Sequence, residues 1–246
     1  MTGAAWQSFW LLLRWQLLRN RSLLVLLVAV QVALGVGVIY GFAFLVPDVT
    51  PTVALFFATG APTLSLILIG LTVVPQETAL ARSNGRFAYV AALPVPRLAP
   101  MLAEVCFWLL VQLPGSIATL VLATLRFQVD LHVSLGIAPA VLLVSLTAAS
   151  VGYAIAVLLP PTATSQVSSF MGIVLLLFSP INFPLSRLPE VLQDVHRALP
   201  ITYMADLVRG GLTGHYESSR ALGFTVVAAY CALGLALSAR AARRRG

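Results

Sequence analysis

Long uncharged hydrophobic stretches alternate with short polar segments along this chain. Five stretches contain no charged residue, and a sixth contains a single acid, Glu104. Crossing roughly 30 Å of hydrocarbon takes about 20 helical residues, and a charge at mid-depth costs about 2.5 to 3.5 kcal/mol. The pattern therefore predicts an all-α polytopic membrane protein whose six transmembrane helices cover residues 22–46, 52–74, 98–125, 133–159, 162–183 and 221–239.

The composition supports the same fold class. Hydrophobic residues make up 59% of the 246 residues, charged residues only 9%, and the mean hydropathy is +0.96. So little polar surface cannot solvate a globule of this size. We predict a single transmembrane domain over residues 1–246, with the lipid bilayer as its surroundings and no nucleic acid as a partner.

The arginines predict the orientation of the spans. With the amino terminus in the cytoplasm, ten of the fifteen arginines fall inside and five outside, which follows the positive-inside rule. Both termini are then cytoplasmic. The first apolar run has 25 residues, whereas a signal-peptide core has about 7 to 15, so we expect this run to remain as a span. The arginine- and alanine-rich composition suggests a bacterial source, hence a multi-pass protein of the bacterial cytoplasmic membrane.

A leader precedes the first span. Trp6, Trp10, Leu13 and Leu17 recur at helical spacing, while Gln7, Arg14 and Arg19 provide a polar side. This pattern predicts an amphipathic interfacial helix within residues 1–21, lying along the inner headgroup layer. It serves either as a topology anchor or as a moving connector.

The cytoplasmic segment 75–100, between spans two and three, is too long and too mixed in composition for a plain turn. Asn84-Gly85 and Pro94-Val95-Pro96 bound a predicted short helix that displays Arg86, Tyr89 and Leu93. Such a helix would project from the membrane toward a soluble partner.

The external segment 184–220 carries two short amphipathic patterns. Leu188, Val191, Leu192, Val195 and Leu199 share one apolar face, and Ile201, Met204, Leu207 and Val208 share another after Pro200, with Gly210-Gly211 expected to end the helix. Neither helix is long enough to span. We expect either a re-entrant pair dipping into the outer leaflet or an amphipathic loop on its surface.

These segments resemble the membrane subunits of type 2 ABC exporters. The cytoplasmic segment presents an acid, a base, Gly and Leu-Pro-Val in the family's order, as Glu77, Arg82, Gly85, Leu93, Pro94 and Val95. The external segment matches at Phe183, Pro184, Leu188, Pro189, Pro200, Tyr203, Asp206 and Arg209. Many relatives carry a lysine early in span three, where this chain has Glu104. An acid there could pair with an arginine, take up a proton or face a wet vestibule, and a structural or snorkelling role is favoured.

The resemblance implies two candidate sites. The first is an ATPase-coupling site of Glu77, Arg82, Arg86, Phe87, Tyr89 and Leu93. The second is an extracellular gate of Phe183, Pro184, Leu188, Pro200, Tyr203, Asp206 and Arg209. A partner ATPase would hold ATP and magnesium, and this chain would hold no cofactor.

The absence of lysine from the sequence supports that division of labour. A GxxxxGK[ST] phosphate-binding loop needs a lysine, so we expect the energy for uphill transport to come from a separate subunit. The resemblance implies that this partner is a cytoplasmic ABC ATPase. A second permease subunit, identical or not, is also expected. Ala29, Ala33, Gly37 and Gly41 recur every fourth residue in span one and offer a small-residue face for dimer packing or for internal packing.

Together with this resemblance, the sequence predicts a permease that exports a hydrophobic or amphipathic compound, such as a drug, an antibiotic or a lipid-like molecule. An ion-coupled secondary transporter or channel is the alternative, although only Glu104, Gln31 and Gln112 interrupt the apolar runs. A membrane-embedded enzyme or a metal site is disfavoured because His132, His196 and His215 are widely spaced. A purely structural scaffold would leave the projecting cytoplasmic helix without a role.

Overall fold

The computed structural model describes residues 3–45, 50–96 and 98–244, and within these residues all regular structure is helical. Short connections join most of the helices. The helices, numbered in chain order, are α1 (Gly3–Arg19), α2 (Arg21–Leu45), α3 (Pro51–Leu68), α4 (Val74–Ser83), α5 (Arg86–Ala91), α6 (Leu98–Phe127), α7 (Ile137–Leu158), α8 (Pro161–Phe178), α9 (Glu190–Ala198), α10 (Pro200–Thr213) and α11 (Arg220–Arg244). A π-helical turn at Ile69–Val73 joins α3 to α4, and a 3-10 turn at Leu185–Arg187 precedes α9.

The prediction of six membrane-spanning helices is confirmed. Within the described residues, six helical stretches are long and apolar enough to cross a bilayer, and each overlaps one predicted span. Two boundaries were wrong. The second helical stretch continues to Ser83, nine residues beyond the predicted end, and the fifth ends at Phe178 rather than at 183. Val46, Arg97 and Arg245, which entered the span and orientation predictions, lie outside the described residues.

The second helical stretch continues beyond residue 74 because a π-helical turn precedes Pro75 and accommodates it. Pro75 has no backbone N–H, and it follows a turn in which the Val74 N–H donates to the Ile69 carbonyl five residues earlier. Pro75 removes one N–H from the helical ladder, and a local π-helical turn beside such a residue is a recognised way for a helix to continue. The second span was predicted to end at residue 74, just before Pro75. The helix instead continues through Pro75, with a local change from α-helical to π-helical winding.

Long-range hydrogen bonds between the helices distinguish two ends of the bundle. We call them the α5 end, where α1 and α5 lie, and the α10 end, where α9 and α10 lie. One buried apolar cluster joins α3, α7 and α10, and a second joins α1, α6 and α7. Helices α3 and α7 are largely buried, whereas most residues of α2, α8 and α11 are at least partly exposed.

Glycine allows the two central helices to approach closely. A Cβ added to Gly152 of α7 would collide with the Gly70 carbonyl oxygen, and a Cβ added to Gly70 would collide with Ala148. Small residues at such contacts let helix backbones touch in lipid. The contact packs the π-helical turn directly against α7.

The leader forms helix α1, which packs on α6 along one side. Phe9, Leu12 and Leu13 are buried in the cluster shared with α6, whereas Trp6 and Trp10 are about half exposed. Helix α1 therefore packs on α6 through Leu13 and its neighbours and leaves Trp6 and Trp10 partly exposed, and its position along the inner headgroup layer stays a prediction.

Candidate coupling and gate sites

The coupling site begins with a tight turn at the α5 end. Helix α4 ends at Ser83, and Gly85 takes a positive φ of 72°, a backbone conformation that glycine adopts without strain. The turn reverses the chain into α5, where Tyr89 is 64% exposed. Leu93, just after α5, packs against the cluster of α1 and α6. A helix therefore occupies the interval expected between Asn84-Gly85 and Pro94.

Arg82 anchors this turn to the neighbouring helix. Its Nη1 donates to the carbonyl oxygens of Ala156 and Leu159, the latter at 2.6 Å. Ala156 lies in the last turn of α7 and Leu159 directly follows the helix, where backbone acceptors lack helical partners. Arg82 thereby provides a hydrogen-bond donor for the carbonyl groups at the end of α7. The same bonds attach the C-terminal end of α4 to α7.

The other predicted coupling residues lie at the same end. Arg86 is partly buried and its Nη2 donates to the Glu77 carbonyl oxygen over 3.5 Å, at the limit of a hydrogen bond. The side chain of Phe87 lies outside the described residues. Tyr89 is therefore the most exposed member of the set whose side chain is described.

Glu104 bonds to neutral donors in this structure. Gln16 of the leader donates from Nε2 to Oε2 over 2.9 Å, and Trp108 donates from Nε1 to Oε1 over 3.1 Å. Gln16 and Trp108 are both buried. Within the described part of the chain, Glu104 makes no ion pair with an arginine. The acid thus connects α6 to α1.

A buried arginine organises the α10 end. Arg209 of α10 is 6% exposed, its Nη2 donates to the Ile181 carbonyl oxygen over 2.8 Å, and its Nε donates to Thr59 Oγ1 over 3.3 Å. Its guanidinium lies 4.0 Å from the centre of the Phe56 ring, a cation–π arrangement. One side chain thus joins α10, α3 and the loop after α8. Its Nη1 also reaches Glu217, which is half exposed, over 3.5 Å.

Asp206, one turn before Arg209, holds the segment that follows α10. Its carboxylate accepts from the backbone N–H groups of Glu217 and Ser218, over 2.7 and 2.9 Å, and from the Ser218 hydroxyl. Asp206 is only 4% exposed. Charge-assisted bonds to a buried carboxylate are among the stronger hydrogen bonds in proteins, so this contact fixes the path from α10 into α11.

The remaining gate candidates lie around this network. Tyr203 donates its hydroxyl to the Arg197 carbonyl oxygen over 3.2 Å and so ties α10 to α9, and Pro200 is buried at the start of α10. Phe183, Pro184 and Leu188 are partly buried in the connection between α8 and α9, outside the hydrogen-bond network of Arg209.

The expected end of α10 at Gly210-Gly211 was wrong. The helix continues to Thr213 and ends at Gly214, whose φ is 77°. A Cβ at Gly210 would collide with the Tyr216 ring, and one at Gly211 would come within 2.9 Å of Ile137. These two glycines therefore allow close packing inside the helix, and Gly214 provides the left-handed stop.

A buried histidine lies beside this end of the bundle. His196 is the one buried residue of α9, and its Nδ1 has no hydrogen-bond partner within the described residues. Burial lowers the pKa of His196 from its ordinary value, and a hydrogen bond to the Phe178 backbone opposes that shift. Burial therefore favours the neutral form of His196. No group of three or more potential metal ligands lies together in the part of the chain that the structure describes.

The small-residue face of the first span points away from the bundle. Ala29, Ala33, Gly37 and Gly41 are all exposed on α2. A Cβ added to Gly37 or Gly41 would meet nothing within 4 Å. These four residues therefore do not pack against other helices of the chain, which was the alternative role.

Sequence reasoning missed most of the partners that complete the two sites. At the α10 end these are Phe56, Thr59, Ile181, Glu217 and Ser218, and at the α5 end Gln16 and Trp108. The Thr59–Arg209 pair is separated by 150 positions and the Gln16–Glu104 pair by 88. The only sequence signal was the polarity of Gln16 among the apolar residues of the leader.

Comparison with known proteins gives a family match over most of the chain. The family model for "ABC-2 type transporter" (ABC2_membrane) matches residues 6–213. The match includes the leader, five of the six spans, the coupling segment and α10. No curated protein matches the sequence.

Proposed function

Because the chain belongs to the ABC-2 type transporter family, as a membrane-embedded transport subunit, we propose that it is the permease of an ATP-driven exporter working with a separate ATPase. Hydrolysis of ATP takes place on that partner, which holds ATP and magnesium. The chain lies in a bacterial cytoplasmic membrane with both termini inside, so the α5 end faces the cytoplasm and the α10 end faces outward.

The observation that carries this proposal is the form of the coupling segment. Helix α5 presents an exposed Tyr89, while Arg82 ties the base of the segment to α7. A segment that is hydrogen-bonded to a span at one end and exposed at the other can transmit the movement of a bound partner to that span. Tyrosine is also enriched among the residues that dominate protein interfaces.

The α10 end fits the role of an outer gate in this proposal. Arg209 joins α10, α3 and the loop after α8 through one buried side chain, so these elements would move as a unit. Rigid-body movement of packed elements is a common way to alternate access. The pair α9 and α10 would dip into the outer leaflet, with α10 buried against three spans.

The transport path lies between two permease subunits in this proposal. The exposed face of Ala29, Ala33, Gly37 and Gly41 lets the backbone of a second subunit approach closely. Apolar surface on α2 and α8 would then line the path, which suits a hydrophobic or amphipathic compound. The second subunit is either a copy of this chain or a homologous chain.

Purification of the tagged chain from its native membrane tests the proposal. We expect a soluble ATPase to co-purify in near-stoichiometric amount, and Tyr89→Ala or Arg86→Glu to reduce that amount severalfold. Leu135→Ala is the matched control, because Leu135 is 99% exposed at the opposite end of the bundle. This control should retain the ATPase.

The alternative function makes a different prediction. An ion-coupled transporter or channel would purify without an ATPase and would move solute in vesicles under a proton or sodium gradient alone. That result, or equal ATPase recovery from Tyr89→Ala, Arg86→Glu and Leu135→Ala, would contradict the proposed coupling site.

A further inference from the structure

The leader helix α1 turns one side away from the bundle. Its opposite side is buried against α6 through Phe9, Leu12 and Leu13. The outward side carries large apolar side chains that are between 38% and 67% exposed, namely Trp6, Trp10, Leu11, Trp15 and Leu18. Exposed apolar surface of this kind marks contact with another molecule or with a membrane.

Exposed arginines accompany these apolar side chains. Arg14 is exposed three residues after Leu11 and four before Leu18, a helical spacing that places the three side chains on one side of α1. Arg21 is exposed at the start of α2. Neither Arg14 nor Arg21 makes an ion pair with any residue in the described part of the chain.

One environment suits both kinds of side chain. Leu11 and Leu18 gain free energy by leaving water, whereas an ionised Arg14 is costly in hydrocarbon. The boundary between headgroups and acyl chains accepts both, because apolar side chains enter the acyl region while arginine reaches the phosphates. This boundary is within reach of α1, since the first span begins at Arg21, two residues after α1 ends.

The charge of this region indicates which lipids suit it. The first 47 residues contain three arginines and no acid. Glu104, the acid that contacts α1, does so through Gln16 on the buried side of the helix. Arg240 of α11 is exposed at the same end of the bundle, because its neighbours Ala239 and Ala241 pack against the cluster shared by α1 and α6. The exposed surface around α1 is therefore positive.

We propose that the outward side of α1 binds anionic phospholipids, with Arg14 and Arg21 at the lipid phosphates and Leu11 and Leu18 among the acyl chains. A zwitterionic headgroup has no net charge to attract these arginines. Near an anionic surface, each arginine strengthens binding about fivefold. The lipid then holds the leader from the membrane side while α6 holds it from the bundle side. This inference depends neither on the transported compound nor on the partner ATPase.

Quenching of tryptophan fluorescence by brominated lipids tests this surface. Three of the four tryptophans, Trp6, Trp10 and Trp15, lie on α1, and the fourth, Trp108, is buried. The purified chain is placed in nanodiscs of one fixed mixture of phosphatidylcholine and phosphatidylglycerol, with bromine near the top of the acyl chains of one lipid or of the other. We expect brominated phosphatidylglycerol to quench more than its share of the lipid predicts, and raised salt to reduce this preference.

Charge-removing variants locate the preference. In the double variant Arg14→Gln with Arg21→Gln, the relative affinity for phosphatidylglycerol should fall about tenfold or more, since each arginine contributes about fivefold. The matched control is Arg126→Gln with Arg197→Gln, which removes two exposed arginines near the α10 end and should leave the preference unchanged. Arg14→Lys with Arg21→Lys keeps the charge and should retain most of the preference, and it serves if the glutamine variant does not fold.

Several outcomes would overturn the inference. Equal quenching of the unaltered chain by the two brominated lipids would do so, as would an equal loss of preference in the glutamine variant and in its control. Loss of the preference in the lysine variant would remove the electrostatic basis. If neither lipid quenches the fluorescence and its emission is that of tryptophan in water, the outward side of α1 faces solvent or a soluble protein, and the inference also fails.

Discussion

Replacing Arg209 by methionine tests whether this side chain holds the α10 end together. Methionine keeps a similar length and removes the charge, so the hydrogen bonds to Ile181 and Thr59 and the contact with Phe56 are lost. We expect a clear loss of stability, because the Ile181 carbonyl would be left without this donor at a site closed to water.

The magnitude follows from the contacts. A hydrogen bond from a charged donor contributes about 1.5 to 3 kcal/mol, and a buried cation–π contact about 0.5 to 2 kcal/mol. The bond to Glu217 adds little, since that carboxylate is 54% exposed. Part of the sum is offset because the variant no longer buries a charge. We therefore predict a net loss of about 2 to 4 kcal/mol.

Arg197→Met is the matched control. Arg197 lies in the neighbouring helix α9 and pairs with Asp194, but their side chains are 65% and 74% exposed. Such a surface pair contributes no more than about 1 kcal/mol. Thermal unfolding in nanodiscs, followed by tryptophan fluorescence, should show a midpoint well below that of the unaltered chain for Arg209→Met only. Equal midpoints for the two variants would refute the structural role assigned to Arg209.

Two further predictions concern packing and pH. Gly152→Ala should cost about 1 to 3 kcal/mol of unfolding free energy, because its Cβ would collide with the Gly70 carbonyl. In the same thermal assay on monomeric protein, Gly37→Ala should not destabilise the chain, because the added Cβ meets no atom within 4 Å. Equal losses of stability in Gly152→Ala and Gly37→Ala would contradict the close contact between Gly152 and Gly70. The lowered pKa of His196 predicts stability that is present above the ordinary value of 6.5 and is lost as the pH falls through the folded-state pKa. Melting curves between pH 8 and pH 5 should show this acid loss, which His196→Gln should reduce, and an unchanged pH profile in that variant would contradict it.

The membrane-spanning helices could be predicted because a single physical constraint dominates them. Charge-free hydrophobic runs of about 20 residues are typical of membrane-spanning helices. The same rule failed where the helix continued beyond the apolar run. Residues 75–83 are polar enough to resemble a loop, yet α4 is stacked on α3 through the π-helical turn. Tertiary packing against α7 outweighed the local signal of Pro75.

The two sites could be predicted only in part. Resemblance to a family identified Asp206 and Arg209 but not their partners, two of which, Ile181 and Thr59, lie 28 and 150 positions from Arg209. Thr59 lies in an apolar run, and the acceptor at Ile181 is a backbone carbonyl, so neither differs in sequence from a residue that only packs. Gly210-Gly211 was misjudged for a related reason. A glycine that ends a helix and one that admits a neighbouring ring look alike until the neighbour, Tyr216, is known.

The most direct test of the central claim is transport in inside-out membrane vesicles containing the chain with or without its partner ATPase. The probe is rhodamine 6G, a fluorescent amphipathic cation, and the measurement is its accumulation against a gradient. We predict accumulation that requires ATP and both proteins and that falls with Tyr89→Ala. Uphill accumulation by the chain alone, driven by a proton or sodium gradient and unaffected by that substitution, would contradict the account.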